Sequence, residues 1–213
     1  MTEEYAQRNP IKPGGTKILA LASGVPDETR RGIIPARDSV ASQDSSILAW
    51  LRETRLRYPV IAAPDVDLTD VESDAERPLV RETALRDRDH GQWHGRPLRD
   101  LSPEDISRWI MDPDHAAPDG ESNRMMLDRA GRWLEALPAG TGDLIVIARP
   151  TIIRMMLIHA LGGGVDMRHH LDVPPSTRSA MSRHTGWRVS LVGAPLSSRD
   201  AMPETSGRLA ESR

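Results

Sequence analysis

Residues 85–95 read Leu-Arg-Asp-Arg-Asp-His-Gly-Gln-Trp-His-Gly, and within this run Asp87, His90, Trp93 and His94 are the side chains suited to chemistry. A carboxylate such as Asp87 can serve as general acid or base when burial and a nearby cation set its pKa. His90 and His94 can shuttle protons near neutral pH. The plainer reading stays open beside it: Asp87 paired with one of many arginines, both histidines structural, Trp93 a pocket wall or core residue. Arg149 is the second candidate, placed where an apolar run meets a proline-started helix. A guanidinium there can hold a substrate carboxylate or enolate at the helix N-terminus, or form a structural salt bridge with Asp67. Ser23 closes the first apolar run, but a serine nucleophile needs a neighbouring base and none stands beside it. His169 and His170 are adjacent, so their side chains diverge, which favours a surface role over metal binding.

The elements that position these residues follow from the apolar pattern. Leu144, Ile145, Val146, Ile147 and Ala148 form a continuous β-rich run, too short for a membrane, as expected of a strand buried on both faces. Pro150 suits a first helical turn, and residues 152–161 are apolar on almost every side, as in a crossover helix on a parallel sheet. Arg149 therefore falls at the strand-to-helix turn where open α/β folds bind ligands. Residues 18–21 read as the first strand, 44–57 as a helix, 58–62 as a second strand and 103–110 as a short helix. A long helix opens at Ser122, with Met126, Ala130, Trp133, Leu134 and Leu137 at helical spacing. Residues 187–192 read as the last strand.

A chain of 213 residues supports one full core, placed here at residues 17–194 between flexible segments 1–16 and 195–213. The formal charge of -3, with interspersed signs, gives no broad basic field for nucleic acid. There is no cysteine, which excludes disulfides and thiolate metal sites, and no apolar N-terminal segment marks secretion or membrane insertion. A soluble cytoplasmic protein with a small-molecule ligand, and neither nucleic acid nor membrane as partner, is expected, with a homodimer left open. Only Lys12 and Lys17 are lysines, a bias that a GC-rich bacterial genome explains as readily as anion binding.

Several runs together resemble the histidine phosphatase superfamily, in its phosphoglycerate-mutase-like branch. Leu85, Arg86, Asp87, Gly91, Trp93 and Gly95 fall on the points of its Leu-Arg-Glu, spacer, Gly-x-Trp-Glu-Gly run. Pro118, Asp119, Gly120, Glu121 and Ser122 match the Pro-x-Gly-Glu-Ser that opens a long helix in that family. The strand and turn at 144–151, followed by Ile152, Ile153 and Arg154, match its second catalytic motif. The resemblance implies a three-layer α/β/α sandwich with a mostly parallel central sheet, and no metal or organic cofactor.

It also implies where a phosphatase would carry its catalytic groups. The strand that ends in Arg-His-Gly in the family ends here in Ala22, Ser23 and Gly24, and Arg149 stands in place of the second histidine. An arginine expected after Ala62, Ala63 and Pro64 is replaced by Asp65, Val66 and Asp67. Arg30 and Arg31 correspond to the family's Glu-Thr-x-x-Gly segment; a pocket with Asp67, Asp87 and Arg149 would carry about one net negative charge and repel a phosphate dianion unless Arg30 or Arg31 swings in. Phosphohistidine catalysis needs a nucleophilic imidazole and donors around the phosphoryl oxygens. The expectation is a degenerate site: Asp87, Arg149 and His90 carry proton-transfer chemistry, and Ser23, Asp67, Arg30, Arg31, Trp93 and His94 contact the substrate. Isomerisation, elimination or cyclisation of a small metabolite in a bacterial biosynthetic pathway fits this set. A ligand-binding or scaffolding pseudophosphatase is the alternative, and residual phosphatase activity through His90 or His94 is a third reading.

Overall fold

In a computed structural model the chain is described over residues 15–41, 44–54, 58–72 and 79–196. The N-terminal and C-terminal segments expected to be flexible lie almost wholly outside these residues. The elements run β1 (Thr16–Ala22), α1 (Asp27–Arg30), α2 (Ser45–Glu53), β2 (Val60–Ala62), α3 (Thr69–Glu72), β3 (Leu79–Arg81), α4 (Pro103–Met111), α5 (Asn123–Glu135), β4 (Asp143–Ala148), α6 (Pro150–Ala160), β5 (Thr177–Arg183) and β6 (Trp187–Pro195).

The strands form one sheet in the order β3-β2-β4-β1-β5-β6. β3, β2, β4 and β1 pair parallel, and β5 and β6 add an antiparallel hairpin, so the sheet is mixed with a parallel half. Leu144 to Ala148 are all buried. Because successive residues of a strand face opposite ways, helices must cover both sheet faces there. The apolar faces of α2, α5 and α6 enclose the sheet in one core, to which Ile47, Leu51, Met126, Leu134, Ile153 and Leu157 contribute.

Local chemistry sets the helix ends. Asp44 caps α2 by accepting from Ser46 N and Ile47 N, and the helix stops at Thr54, short of the expected end at residue 57. Ser102 caps α4, and Ser122 caps α5 through Met125 N. β3 and β5 carry no strand pattern in the sequence. β5 reads Thr-Arg-Ser-Ala-Met-Ser-Arg, without an apolar run, and is buried because it sits between β1 and β6. No helix of the described residues is long and apolar enough to cross a membrane.

The parallel half matters most for position. The register pairs Ala22 with Ala148 and Ala62 with Ile147, so Ser23, Ala63 and Arg149 follow three neighbouring strands at one edge of the sheet. The segment after β3 arrives at the same edge and leads through residues 83–85 into Asp87. Arg129 on α5 holds that segment: Nη1 donates to the carbonyls of Ala84 and Arg86, and Nε and Nη2 each meet the Glu121 carboxylate at 2.8 Å. Glu121 is almost fully buried. Replacing Arg129 by Met should therefore lower stability by roughly 3–5 kcal/mol, since a buried carboxylate loses its main partner. Chemical denaturation against the parent chain measures this, and a loss below about 1 kcal/mol would refute the assigned role.

Candidate functional site

The carboxyl ends of the parallel strands open onto a cleft of about 330 Å³. Its walls include Arg37, Asp65, Asp87, Arg88, His90 and Arg149, with Asp89 and His94 beside them. A second, apolar cavity of about 350 Å³ shares Pro35, Asp87, Arg88, His90 and Arg149 with it and extends under α4 to Ile34, Leu98 and Trp109. The two compartments meet at the residues with the most reactive chemistry.

Arg149 occupies the N-cap position of α6 and is 2% exposed. Its Nε donates to Asp65 Oδ2 at 3.1 Å, and Nη2 donates to the Asp65 carbonyl at 3.0 Å and the Ser39 carbonyl at 3.4 Å. Nη1 of Arg149 and Oδ1 of Asp65 are buried without a protein partner. Burial raises the Asp65 pKa, the Arg149 charge opposes that rise, and the Asp87 charge adds to it.

Asp87 lies next to this pair, its N–H donating to Asp65 Oδ2 at 3.3 Å. Its Oδ1 accepts from Arg88 N at 2.8 Å and from the Thr151 hydroxyl in the first turn of α6. Arg88 is itself buried; Nε donates to the Glu121 carbonyl and Nη2 to the His115 carbonyl, and the guanidinium stands 5.2 Å from the Trp109 ring centre. Burial pulls the Arg88 pKa down to about 10. Its Nη1 makes no hydrogen bond to the described residues.

The 88–95 turn is shaped by a close backbone approach. Gly91 has a φ of +51°, and a Cβ there would meet Pro118 O at 2.0 Å and Gly120 N at 2.5 Å. The packed turns exchange Gln92 N to Pro118 O and Glu121 N to Asp89 O. Asp89 accepts from Gly91 N, lies 2.9 Å from His94 Nε2 and pairs with Arg37. Burial works to raise the Asp89 pKa, but these partners outweigh it and leave the carboxyl at about 2. His94 Nδ1 lies 2.7 Å from the Pro35 carbonyl, and so donates to it. The His90 ring stands edge-on to those of His94 and Trp109, with Nδ1 buried and without a partner. Burial, reinforced by Arg88 and His94, pulls the His90 pKa down to about 4 against the raising effect of Asp87.

Asp87, His90, His94 and Arg149 are thus brought into one site. Other expected contacts are placed elsewhere. Asp67 does not face Arg149: Arg81 pins the turn after β2 through the Ala63 and Val66 carbonyls, which leaves Asp65 as the partner, while Asp67 accepts from Thr69 N and its hydroxyl on the surface. Ser23 is fully buried, its hydroxyl donating to the Gly24 carbonyl, so a ligand in the cleft does not reach it. Arg30 and Arg31 are exposed at the end of α1, Arg30 against Asp27, and Arg37 takes the cleft wall instead. Trp93 lines neither compartment itself: it packs in a small cluster with Ile34, Leu101 and Ala117 and edge-on to Trp109, behind the wall of the apolar cavity. The expected net negative charge is also corrected: Arg37, Arg86, Arg88 and Arg149 balance Asp38, Asp65, Asp87 and Asp89. Among the described residues no cluster of His, Asp or Glu is arranged to hold a metal.

Comparison with known proteins matches residues 69–194 to the histidine phosphatase superfamily (branch 1). Among solved structures, a mycobacterial glucosyl-3-phosphoglycerate phosphatase superimposes with a TM-score of 0.71 at 16% identity, covering 85% of this chain and 100% of its own. The alpha-ribazole phosphatase of Shigella flexneri gives 0.67 at 15% identity, over 84% of this chain and 96% of its own. Mycobacterial hydrolase 1 gives 0.69 at 16% identity, over 85% and 100%. No curated protein shows a significant sequence match.

Two outcomes follow from the site's electrostatics. Asp65→Ala leaves Arg149 buried and unpaired and should lower stability by about 3 kcal/mol, whereas adding Arg149→Met should restore most of it in the same denaturation assay. An additive double variant would contradict the pairing. The His90 pKa is depressed on folding, so the unfolded chain binds the extra proton between pH 4 and 6.5, and stability rises with pH across that window. The melting temperature of His90→Gln should show a shallower rise there than the parent; identical slopes would contradict the burial of a neutral imidazole.

Proposed function

We propose that this chain, which belongs to the histidine phosphatase superfamily (branch 1), uses its cleft for proton transfer on a small metabolite, of isomerase, lyase or cyclase type, rather than for phosphoryl transfer. The observation that carries the reading is the buried Arg149–Asp65 pair at the end of β4, with Asp87 beside it and the neutral His90 at the cleft wall.

Phosphohistidine chemistry asks for an imidazole free to attack phosphorus and for several cations free to hold its oxygens. Ser23 and Arg149 end the two central strands. The cleft's imidazoles sit on the 88–95 turn, where His94 is engaged at both ring nitrogens. Arg37 pairs with Asp89 and Arg149 with Asp65, which leaves Nη1 of Arg149 and the neighbouring Arg88 for an arriving ligand: enough for one carbonyl or oxyanion group, and fewer donors than the several oxygens of a phosphate dianion ask for.

Proton transfer needs less. Asp87 Oδ1 is held by Thr151 and Arg88 N, while Oδ2 makes no hydrogen bond to the described residues and is free to take a proton from carbon. The electron pair then moves onto a carbonyl oxygen, stabilised by the Arg88 and Arg149 charges in a site of low dielectric. His90, uncharged at neutral pH, returns or relays the proton. A second reading draws on the same Arg149–Asp65 pair: because it already fills the strand-end position, the cleft is also suited to retaining a ligand without turning it over.

The test is incubation of host-cell extract with the parent chain and with Asp87→Asn, followed by untargeted mass spectrometry, alongside assays of generic phosphate esters and acid-labile phosphoprotein. A metabolite consumed many times over, and at least about 100-fold more slowly by Asp87→Asn, is the expected result. Phosphate-ester hydrolysis abolished by changing His90 or His94 would restore a phosphatase. Metabolites retained at one per chain, equally by both proteins, would favour the binding reading.

A further inference from the structure

Resting on the reading of the cleft as a small-molecule site, we propose that its ligand is amphipathic: a flat, apolar body seated in the cavity under α4, and one oxyanion or carbonyl group placed at the junction beside Arg88 and Arg149.

Three features support this division. The first is the cavity itself, whose apolar walls include Val25, Ile33, Ile34, Leu98, Trp109 and Met126 and whose volume falls within the range of small-molecule sites, roughly 300–1,000 Å³. It runs into the polar cleft at Asp87, His90, Arg88 and Arg149, so one molecule can occupy both.

The second is the state of α4. None of its nine residues is fully buried, although Ile106 and Trp109 point toward the small cluster and Ile110 is 48% exposed at the cavity. An apolar helix face left partly uncovered over a cavity is completed by an apolar occupant. Trp109 offers the flat surface, with Arg88 already stacked near its ring.

The third is charge complementarity at the junction. Arg88 is 8% exposed and feels the charges of Glu121 and Asp87, but its hydrogen bonds go to two carbonyls, and Nη1 makes none to the described residues. Arg149 likewise has Nη1 without a partner. An acceptor arriving with the ligand gives these guanidinium groups the bonds that the fold does not supply.

The experiment uses two fluorescent probes of the same ring system on the full chain: anilinonaphthalene sulfonate, which has an anionic head, and the neutral N-phenylnaphthylamine, which lacks it. Saturable binding at one probe per chain is expected, with the sulfonate about tenfold tighter, and with benzene sulfonate as a weak competitor. Trp109→Ala and the exposed-site variant Ile110→Glu should each weaken sulfonate binding by about tenfold. Arg88→Met should erase the difference between the two probes. Near-ultraviolet circular dichroism and melting temperature identify any variant that has lost its fold, and Ile110→Glu serves if Arg88→Met does so. Equal affinity for both probes in the parent chain, or binding unaltered by Trp109→Ala and Ile110→Glu, overturns the proposal. Asp87-dependent turnover of a wholly polar metabolite, without probe binding, would remove this inference and leave proton transfer standing. Head-dependent probe binding without any turnover would do the reverse.

Discussion

The ion pair between Arg129 and Glu121 is the interaction on which the site depends. It joins α5 to a segment of loop and single 3-10 turns, and every guanidinium N–H is used. The guanidinium takes three backbone carbonyls, of Ala84, Arg86 and Asp87, and both oxygens of the carboxylate. Glu121 passes the constraint on, since its carbonyl accepts from Arg88 and its N–H reaches Asp89. A loop that presents five charged or imidazole side chains in succession, Arg86 to His90, would otherwise sample many arrangements, at an entropic cost of about 1–2 kcal/mol per residue to fix. The helix dictates their order in space.

The sheet supplies the other half of the site. Because β1, β2 and β4 end in register, the chain leaves the core at one edge with alanines at the last paired positions, and little side-chain bulk separates the strand ends. Into that space Arg149 inserts a charge that Asp65 only partly answers. Asp87 is coupled to the pair through its own N–H and through Thr151 on the helix that Arg149 caps. A change of charge at any of the three is therefore felt by the other two.

How much of this could be read from the residues differs between fold and site. β1, β4, α5 and α6 are legible because their apolar patterns are long and match one period each. β5 is not, because its burial comes from its neighbours and not from its own composition. In the site, Asp87, His90, His94 and Arg149 are legible, since one motif and one strand-to-helix turn carry them. The choice between Asp65 and Asp67 is not, because it rests on Arg81, which reaches back across the sheet to fix the turn. Arg37 in place of Arg30 and Arg31 depends likewise on the path of the loop after α1. Arg88, Asp89 and Thr151 lie within the two motifs, but nothing in spacing alone separates them from their neighbours. Glu121 carried a signal, the run that opens α5, whose purpose becomes plain only with Arg129 in place.

α4 is anchored at its ends, and along its face only by Ile106 and Trp109 against the small cluster. Ser102 caps its start, and the buried Arg168 donates to the Ile110 and Met111 carbonyls at its close. None of its residues enters the main core. Its amide protons therefore belong to a cooperative unit that opens at a smaller free energy than the sheet, and they exchange with solvent sooner than those of α6. Whatever fills the cavity beneath it adds to that opening energy directly, so occupancy of the site is registered as protection of a helix whose own packing leaves it exposed.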